Sequence, residues 1–319
     1  MSLTLPDIRM AAERIAPYAV RTPLLRLKNL DKALGCEVYV KPECLQVTGS
    51  FKFRGAMNKL LTLTEEERAR GVVAASSGNH GKALAYAAGM LGVKAVIILP
   101  DTATQIKVDT IRHYGAEIVF STIEERFETA ERVCRERGTV MVPPFNDEQI
   151  MAGQGTAGLE ILEECPEMDA VVVPVSGGGL IGGLSTAVKA FSPRTKVFGA
   201  EPAVVPRYSE SLKAGKRVKV QAHRSVADGL ISLIPGDVCF PYVAAGTDGF
   251  AAVEEEFILK GWKLLVTEGK IFGEPSGAIT MGAVLQGLLP VKKTDKVCFF
   301  ISGGSVSLEQ LHILESVEL

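Results

Sequence analysis

From residue 72 onward, short apolar runs alternate with longer stretches whose apolar residues recur every third or fourth position. VVAAS (72–76) precedes GKALAYAAGMLG (81–92), and AVIILP (95–100) precedes QIKVDTIRHYG (105–115). EIVFS (117–121) precedes EERFETAERVCRERG (124–138), and TVMVPPF (139–145) closes the series. The apolar runs predict strands, and the three-to-four recurrence predicts helices. Their alternation predicts an α/β fold, a parallel sheet wrapped by helices. The pattern resumes with TAGLEILEEC (156–165), DAVVVPV (169–175), LIGGLSTAVKAF (180–191) and KVFGAEP (196–202), and its last strand-like run is KVCFFIS (296–302). Near-continuous apolar strands such as VVVPV suit a sheet covered on both faces. Two α/β units follow, one over roughly 65–145 and the other built from the N-terminal segment plus about 150–319. The polar stretch 208–225 reads as an irregular surface excursion. A cleft between two such units is a common setting for a small-molecule site.

The stretch GSFKFRGAMNKLL (49–61) predicts one more helix. Phe53, Ala56, Met57, Leu60 and Leu61 form one apolar stripe at helical spacing, and Ser50 sits where an N-cap belongs. Lys52 then falls in the first turn, beside the positive end of the helix dipole, where a cation is poorly placed. Either it is a solvated surface lysine, or its amine is kept neutral or covalently modified, since burial and the dipole both lower a lysine pKa. The local stretch leaves both open.

Composition narrows the function classes. Of 319 residues, 47% are apolar and 23% charged, with a net charge of −2, so neither a nucleic acid nor a membrane surface is an expected partner. No run reaches the roughly eighteen apolar residues of a transmembrane helix. The N-terminus carries acidic residues and no long apolar stretch, so no signal peptide is expected and a cytoplasmic location is. The six cysteines are scattered, without CxxC or zinc spacing, and read as free thiols.

Two glycine-containing turns carry candidate chemistry. SGGGLIGG (176–183) follows a strand and opens a helix, where backbone N–H groups and the helix terminus favour an anion such as a phosphate. Gly177, Gly179 and Gly182 also fit G-x-G-x-x-G, with Glu201 about twenty residues on, which alone would indicate an NAD-binding oxidoreductase. That alternative leaves GSFKFRGA unexplained. No Walker A pattern is present. SSGNHG (76–81) forms a second strand–turn–helix junction sized for a carboxylate, with Asn79 as a polar contact and His80 as either a base or an ordinary polar residue at a helix start.

In order along the chain, KPECLQVTGSFKFRGA (41–56), ASSGNHGKALAYAA (75–88), VPPFNDEQIMAGQGTAGLEI (142–161), VPVSGGGLIGG (173–183), EPSGA (274–278) and ISGGS (301–305) resemble the fold-type II pyridoxal-phosphate enzymes, in the threonine/serine dehydratase and serine racemase group. The resemblance runs over nearly the whole length. It implies a tryptophan-synthase-β-like pair of domains, a large cofactor-binding domain of 1–60 plus 147–319 and a small substrate-side domain of 61–146. It implies that Lys52 carries pyridoxal 5'-phosphate covalently and takes the substrate Cα proton. Phe51 and Asn79 would contact the ring, and Gly229 and Glu274 would wall it. Ser302 would meet the pyridine nitrogen. Ser176, Gly177, Gly178, Gly179 and Leu180 would hold the phosphate. Ser76, Ser77, Asn79 and His80 would bind the substrate carboxylate, with Ser77 also placed for catalysis. A homodimer is expected on the same ground.

The implied activity is an ammonia-lyase that converts a 3-hydroxy amino acid, such as threonine or serine, to a 2-oxo acid. A serine- or aspartate-type racemase and a hydroxyaspartate-type dehydratase are the alternatives, because Ser77 permits racemisation without requiring it. PPFND (143–147), with Phe145, resembles the dehydratase version of its loop. Lys82 and Ser305 depart from the nucleotide-responsive racemases. Relatives that bind a divalent cation pair the glutamate matching Glu201 with an acidic residue six positions on. Here that position is Arg207, so no metal is expected.

Overall fold

The structure is a computed structural model and describes residues 1–76 and 78–319. Among these, ten strands form two sheets: β1 (Leu25–Arg26), β2 (Glu37–Pro42), β3 (Val72–Ala75), β4 (Ala95–Pro100), β5 (Glu117–Ser121), β6 (Val140–Met141), β7 (Ala170–Pro174), β8 (Lys196–Pro202), β9 (Gly249–Val253) and β10 (Lys296–Ile301). The larger sheet has the order β1-β2-β10-β7-β8-β9, and the smaller has β5-β4-β3-β6. Every pairing is parallel except β1 with β2. Helices cover both faces, so β7 is buried at all five positions, as its unbroken AVVVP run requires. Separate apolar cores lie around Val172, Phe299 and Trp262 in the larger sheet and around Val72, Ile97 and Leu84 in the smaller.

Several expectations are corrected. The TVMVPPF run pairs only over Val140–Met141, because Pro143 and Pro144 have no N–H to give a ladder. The 208–225 stretch is not wholly irregular: Arg207–Ala214 is a helix that buries Arg207, Tyr208 and Ser211. Ser50 is not an N-cap. The helix is Lys52–Thr62, its cap is Phe51, and no side chain caps it. Ser50 instead bridges to Gly303, and the Phe51 N–H donates to the Ser302 carbonyl at 3.0 Å. The start of the lysine helix is thereby tied to the turn after β10.

Helix Glu148–Glu164 is the rod that sets the two glycine-bearing segments in register. Asp147 caps it, accepting from the N–H groups of Gln149 (2.8 Å) and Ile150 (3.0 Å). On one side, a Cβ at Gly153 would lie 2.5 Å from the Arg54 carbonyl oxygen of the lysine helix. On the other, a Cβ at Gly183 would lie 2.0 Å from the Met151 carbonyl oxygen. Only glycine permits such close backbone approach, so AGQGTAG is a packing motif for three helices. Among the described residues no helix is long and apolar enough to cross a membrane, and all six cysteines are free.

Candidate active site

The candidate residues gather where parallel strands end. Ser76 follows β3, Ser176 and Gly177 follow β7, and Ser302 follows β10, all at C-terminal strand ends, where open α/β sheets place ligands. Ser77 lies outside the described residues.

Lys52 is the first residue of its helix and is partly buried. Its Nζ donates to the Pro144 carbonyl at 2.6 Å and lies 5.1 Å from the centre of the Phe51 ring. Loss of water around the amine lowers its pKa to about 8, against opposing pulls from Cys239 and Glu274. Desolvation is thus the main cause of the shift. Since only a neutral amine attacks a carbonyl carbon, the rate at which the apoprotein captures an aldehyde cofactor should rise with pH and level off above about 8. Stopped-flow absorbance across a pH series checks this, and a profile still climbing toward the pKa of an ordinary lysine would contradict it.

The neighbouring Arg54 anchors the start of the lysine helix. Its guanidinium, 1% exposed, is bidentate to Glu43 (Nε–Oε2 2.7 Å, Nη2–Oε1 2.9 Å) and also reaches Glu160 at 2.6 Å. Lys41 donates to Glu160 at 2.6 Å, so two cations balance two carboxylates. Buried charges persist when paired in this way. Sequence reading missed this cluster because its members are scattered from residue 41 to residue 160.

The glycine turn is shaped by what stands over it. Gly178 has φ +102°, in the region that favours glycine, and caps helix Gly179–Phe191. A Cβ there would lie 1.8 Å from Tyr208 Oη, and Cβ atoms at Gly177 and Gly179 would lie 2.4 and 2.8 Å from Phe145. Tyr208 Oη donates to the Gly177 carbonyl at 3.0 Å, and Ser176 Oγ bonds Ser232 Oγ at 3.0 Å. The helix start presents N–H groups without helical partners, the donor set of an anion cradle. Leu180 is buried in the first turn. Phe145, against the glycines, directly follows Pro144, which holds the Lys52 amine.

Asn79 opens helix Asn79–Leu91. Its Nδ2 donates to both Glu274 oxygens (3.1 and 3.3 Å), and its Oδ1 accepts from Ser305 Oγ at 2.5 Å. The Ser305 N–H also donates to Glu274, at 3.0 Å. Burial pushes the Glu274 carboxyl up to about 7, against the hydrogen bond from Asn79. Gly229 adjoins it: a Cβ there would lie 2.9 Å from Ser276 Oγ, which accepts from the Gly229 N–H. Ser302 is 4% exposed beside this group. His80 is turned away, with Nε2 2.9 Å from the Val142 carbonyl and a pKa lowered to about 3 by burial. Its imidazole is a packed, neutral polar group, and only its backbone remains for a ligand.

Glu201 cannot serve a nucleotide ribose. It is fully buried and accepts from the N–H groups of Tyr208 (2.9 Å) and Ser209 (2.7 Å). The dinucleotide alternative loses its acidic residue on this ground. The residues present do fit pyridoxal phosphate: an amine with a lowered pKa, a helix N-terminus opened by three glycines, and a buried Ser50 hydroxyl with no hydrogen-bond partner among the described residues.

Comparison with known proteins agrees. Residues 15–303 match the family described as pyridoxal-phosphate dependent enzyme. The chain is 41% identical over 311 residues to an L-threonine ammonia-lyase from Thermotoga maritima, covering 97% of this chain and 77% of that protein. Among solved structures, it superposes on maize serine racemase with a TM-score of 0.94 at 37% identity, covering 98% and 97% of the two chains. It superposes on a T.th. threonine deaminase with a TM-score of 0.90 at 42% identity, covering 96% and 99%. The chain belongs to the pyridoxal-phosphate-dependent enzymes and has their fold-type II architecture.

Proposed function

We propose that this member of the pyridoxal-phosphate-dependent enzymes is an ammonia-lyase that converts a 3-hydroxy amino acid, with L-threonine and L-serine as the expected substrates, to a 2-oxo acid and ammonia. The observation that carries this reading is the Lys52 amine, lowered to about 8 and held by Pro144 beside the Phe145 that packs on the glycine turn. The similarity to a threonine ammonia-lyase over almost the whole chain supports the substrate class.

Bound in this site, the cofactor would withdraw electron density from the substrate Cα and make its proton acidic. Lys52 would hold the cofactor and, once released, take that proton, which a neutral amine can do near neutral pH. Gly177, Gly178, Gly179 and Leu180, with Ser176, would hold the phosphate. Phe51, Asn79, Gly229, Glu274 and Ser302 would fix the ring. A hydroxyl at Ser302, rather than a carboxylate, would give the ring nitrogen a neutral partner. Ser76, Asn79 and the first-turn N–H groups of helix Asn79–Leu91 would orient the substrate carboxylate, with Ser77 completing that loop. The apolar Phe145 would keep water from the face it covers.

The division into 1–60 plus 147–319 and 61–146 is our reading of the two sheets, and we further propose a homodimer in the cytoplasm. The activity is tested by incubating holoenzyme with L-threonine, L-serine and their D-isomers. Stoichiometric 2-oxo acid and ammonia are expected from the L-isomers. Inversion at Cα without 2-oxo acid would replace the lyase by the racemase reading.

A further inference from the structure

Arg207 is fully buried, yet it belongs neither to the catalytic group nor to the cluster around Arg54. Its Nη1 donates to the Val175 carbonyl (2.8 Å), and its Nη2 donates to the carbonyls of Val205 (2.8 Å) and Leu230 (2.5 Å). Its Nε lies 3.9 Å from Glu201 Oε2 and has no hydrogen-bond partner among the described residues. These acceptors come from three places that matter. Val175 precedes the glycine turn by one residue, and Leu230 follows Gly229 at the ring wall. Val205 and Glu201 flank the start of helix Arg207–Ala214, whose Tyr208 donates to Gly177.

Three carbonyl oxygens and a carboxylate around one point are the ligand chemistry of a hard cation. Here a guanidinium already fills it. Its single charge matches the single charge of Glu201, whereas a divalent ion would leave an excess positive charge in a buried place. The guanidinium also cannot lose its proton at any pH a protein meets.

We propose that Arg207 is a fixed internal cation that braces the glycine turn against the Gly229 wall, so that cofactor retention needs no divalent metal. Arg207 is a positioning residue: it touches neither cofactor nor substrate and acts through the backbone at residues 175 and 230. The coupling to the cofactor rests on reading the glycine turn as the phosphate cradle.

The test combines thermal denaturation of the apo and holo forms with cofactor affinity, each in chelator and in added magnesium or calcium. For the natural chain, both readouts should be unchanged by chelator or metal. Arg207→Ala strands a buried carboxylate and three carbonyls, and should weaken cofactor binding by about tenfold or more. Arg207→Lys keeps the charge but loses the planar fork, and should fall between the two. Arg207→Asp should turn the site into one that takes magnesium or calcium, so that metal raises its melting temperature and restores cofactor affinity. A natural chain that melts lower or sheds cofactor in chelator and recovers with magnesium overturns the proposal, and this arm decides even where a variant does not fold. A folded Arg207→Asp protein that ignores both metals also overturns it. Gly178→Ala separates this proposal from its premise. If Gly178→Ala weakens cofactor binding and Arg207→Ala does not, the brace fails. If neither does, the phosphate-cradle reading fails.

Discussion

Lys52→Ala is expected to lower turnover by about 10^4-fold while leaving the fold intact. Two functions leave with the amine, the covalent hold on the cofactor and the base for the Cα proton. Neither His80 nor Lys41 is placed to replace it. His80 is held on the Val142 carbonyl, and its pKa near 3 makes it a poor base. Lys41 is committed to Glu160 and the Thr22 carbonyl. Stability should hold because the amine gives up a single hydrogen bond, to Pro144, and alanine is a favourable helix residue. The protein should still bind cofactor, but with the absorption of the free aldehyde. Steady-state kinetics with L-threonine and the visible spectrum check both halves, and retained turnover would remove Lys52 from the mechanism.

Gly178→Ala is the second large effect. Alanine would have to adopt φ +102° and place its Cβ 1.8 Å from Tyr208 Oη and 3.1 Å from Cys239 Cβ. The strain and the displaced tyrosine together cost about 2–4 kcal/mol. Because the bond from Tyr208 to the Gly177 carbonyl would go as well, cofactor affinity should fall by about 100-fold. Gly182→Ala is the internal comparison. There a Cβ meets the flexible end of Met151 at 2.8 Å, so binding should change little. Equal losses at both positions would mean that the turn is a packing feature and not a cradle.

Much of this site was legible in the chain because each part rests on a local rule. Apolar runs such as AVVVP have no exposed face to give a sheet, so β7, β8 and β10 could be read directly. A lysine in a first turn and three glycines after a strand are each locally odd, and both lie in the candidate site. The parts that were not legible depend on distant partners. Ser50 looked like a cap, but it is drawn into a bridge with Gly303, far along the chain. The helix Arg207–Ala214 was hidden because its buried face is Arg207, Tyr208 and Ser211, not an apolar stripe. The Glu43–Arg54–Glu160 cluster has no sequence spacing at all. β2 and β9 were passed over because neither carries a strong strand signal: Glu37 and Lys41 interrupt β2, and β9, GFAAV, is rich in glycine and alanine. His80, named with the carboxylate loop, turned out to spend its side chain on packing.

The measurement that bears most directly on the account is borohydride reduction of the purified holoenzyme, followed by proteolysis and mass mapping. A reduced pyridoxyl adduct is expected on the peptide containing Lys52 and on no other lysine, with loss of the visible band and of activity. An adduct on a different lysine, or a protein that cannot be loaded with pyridoxal phosphate, would contradict it.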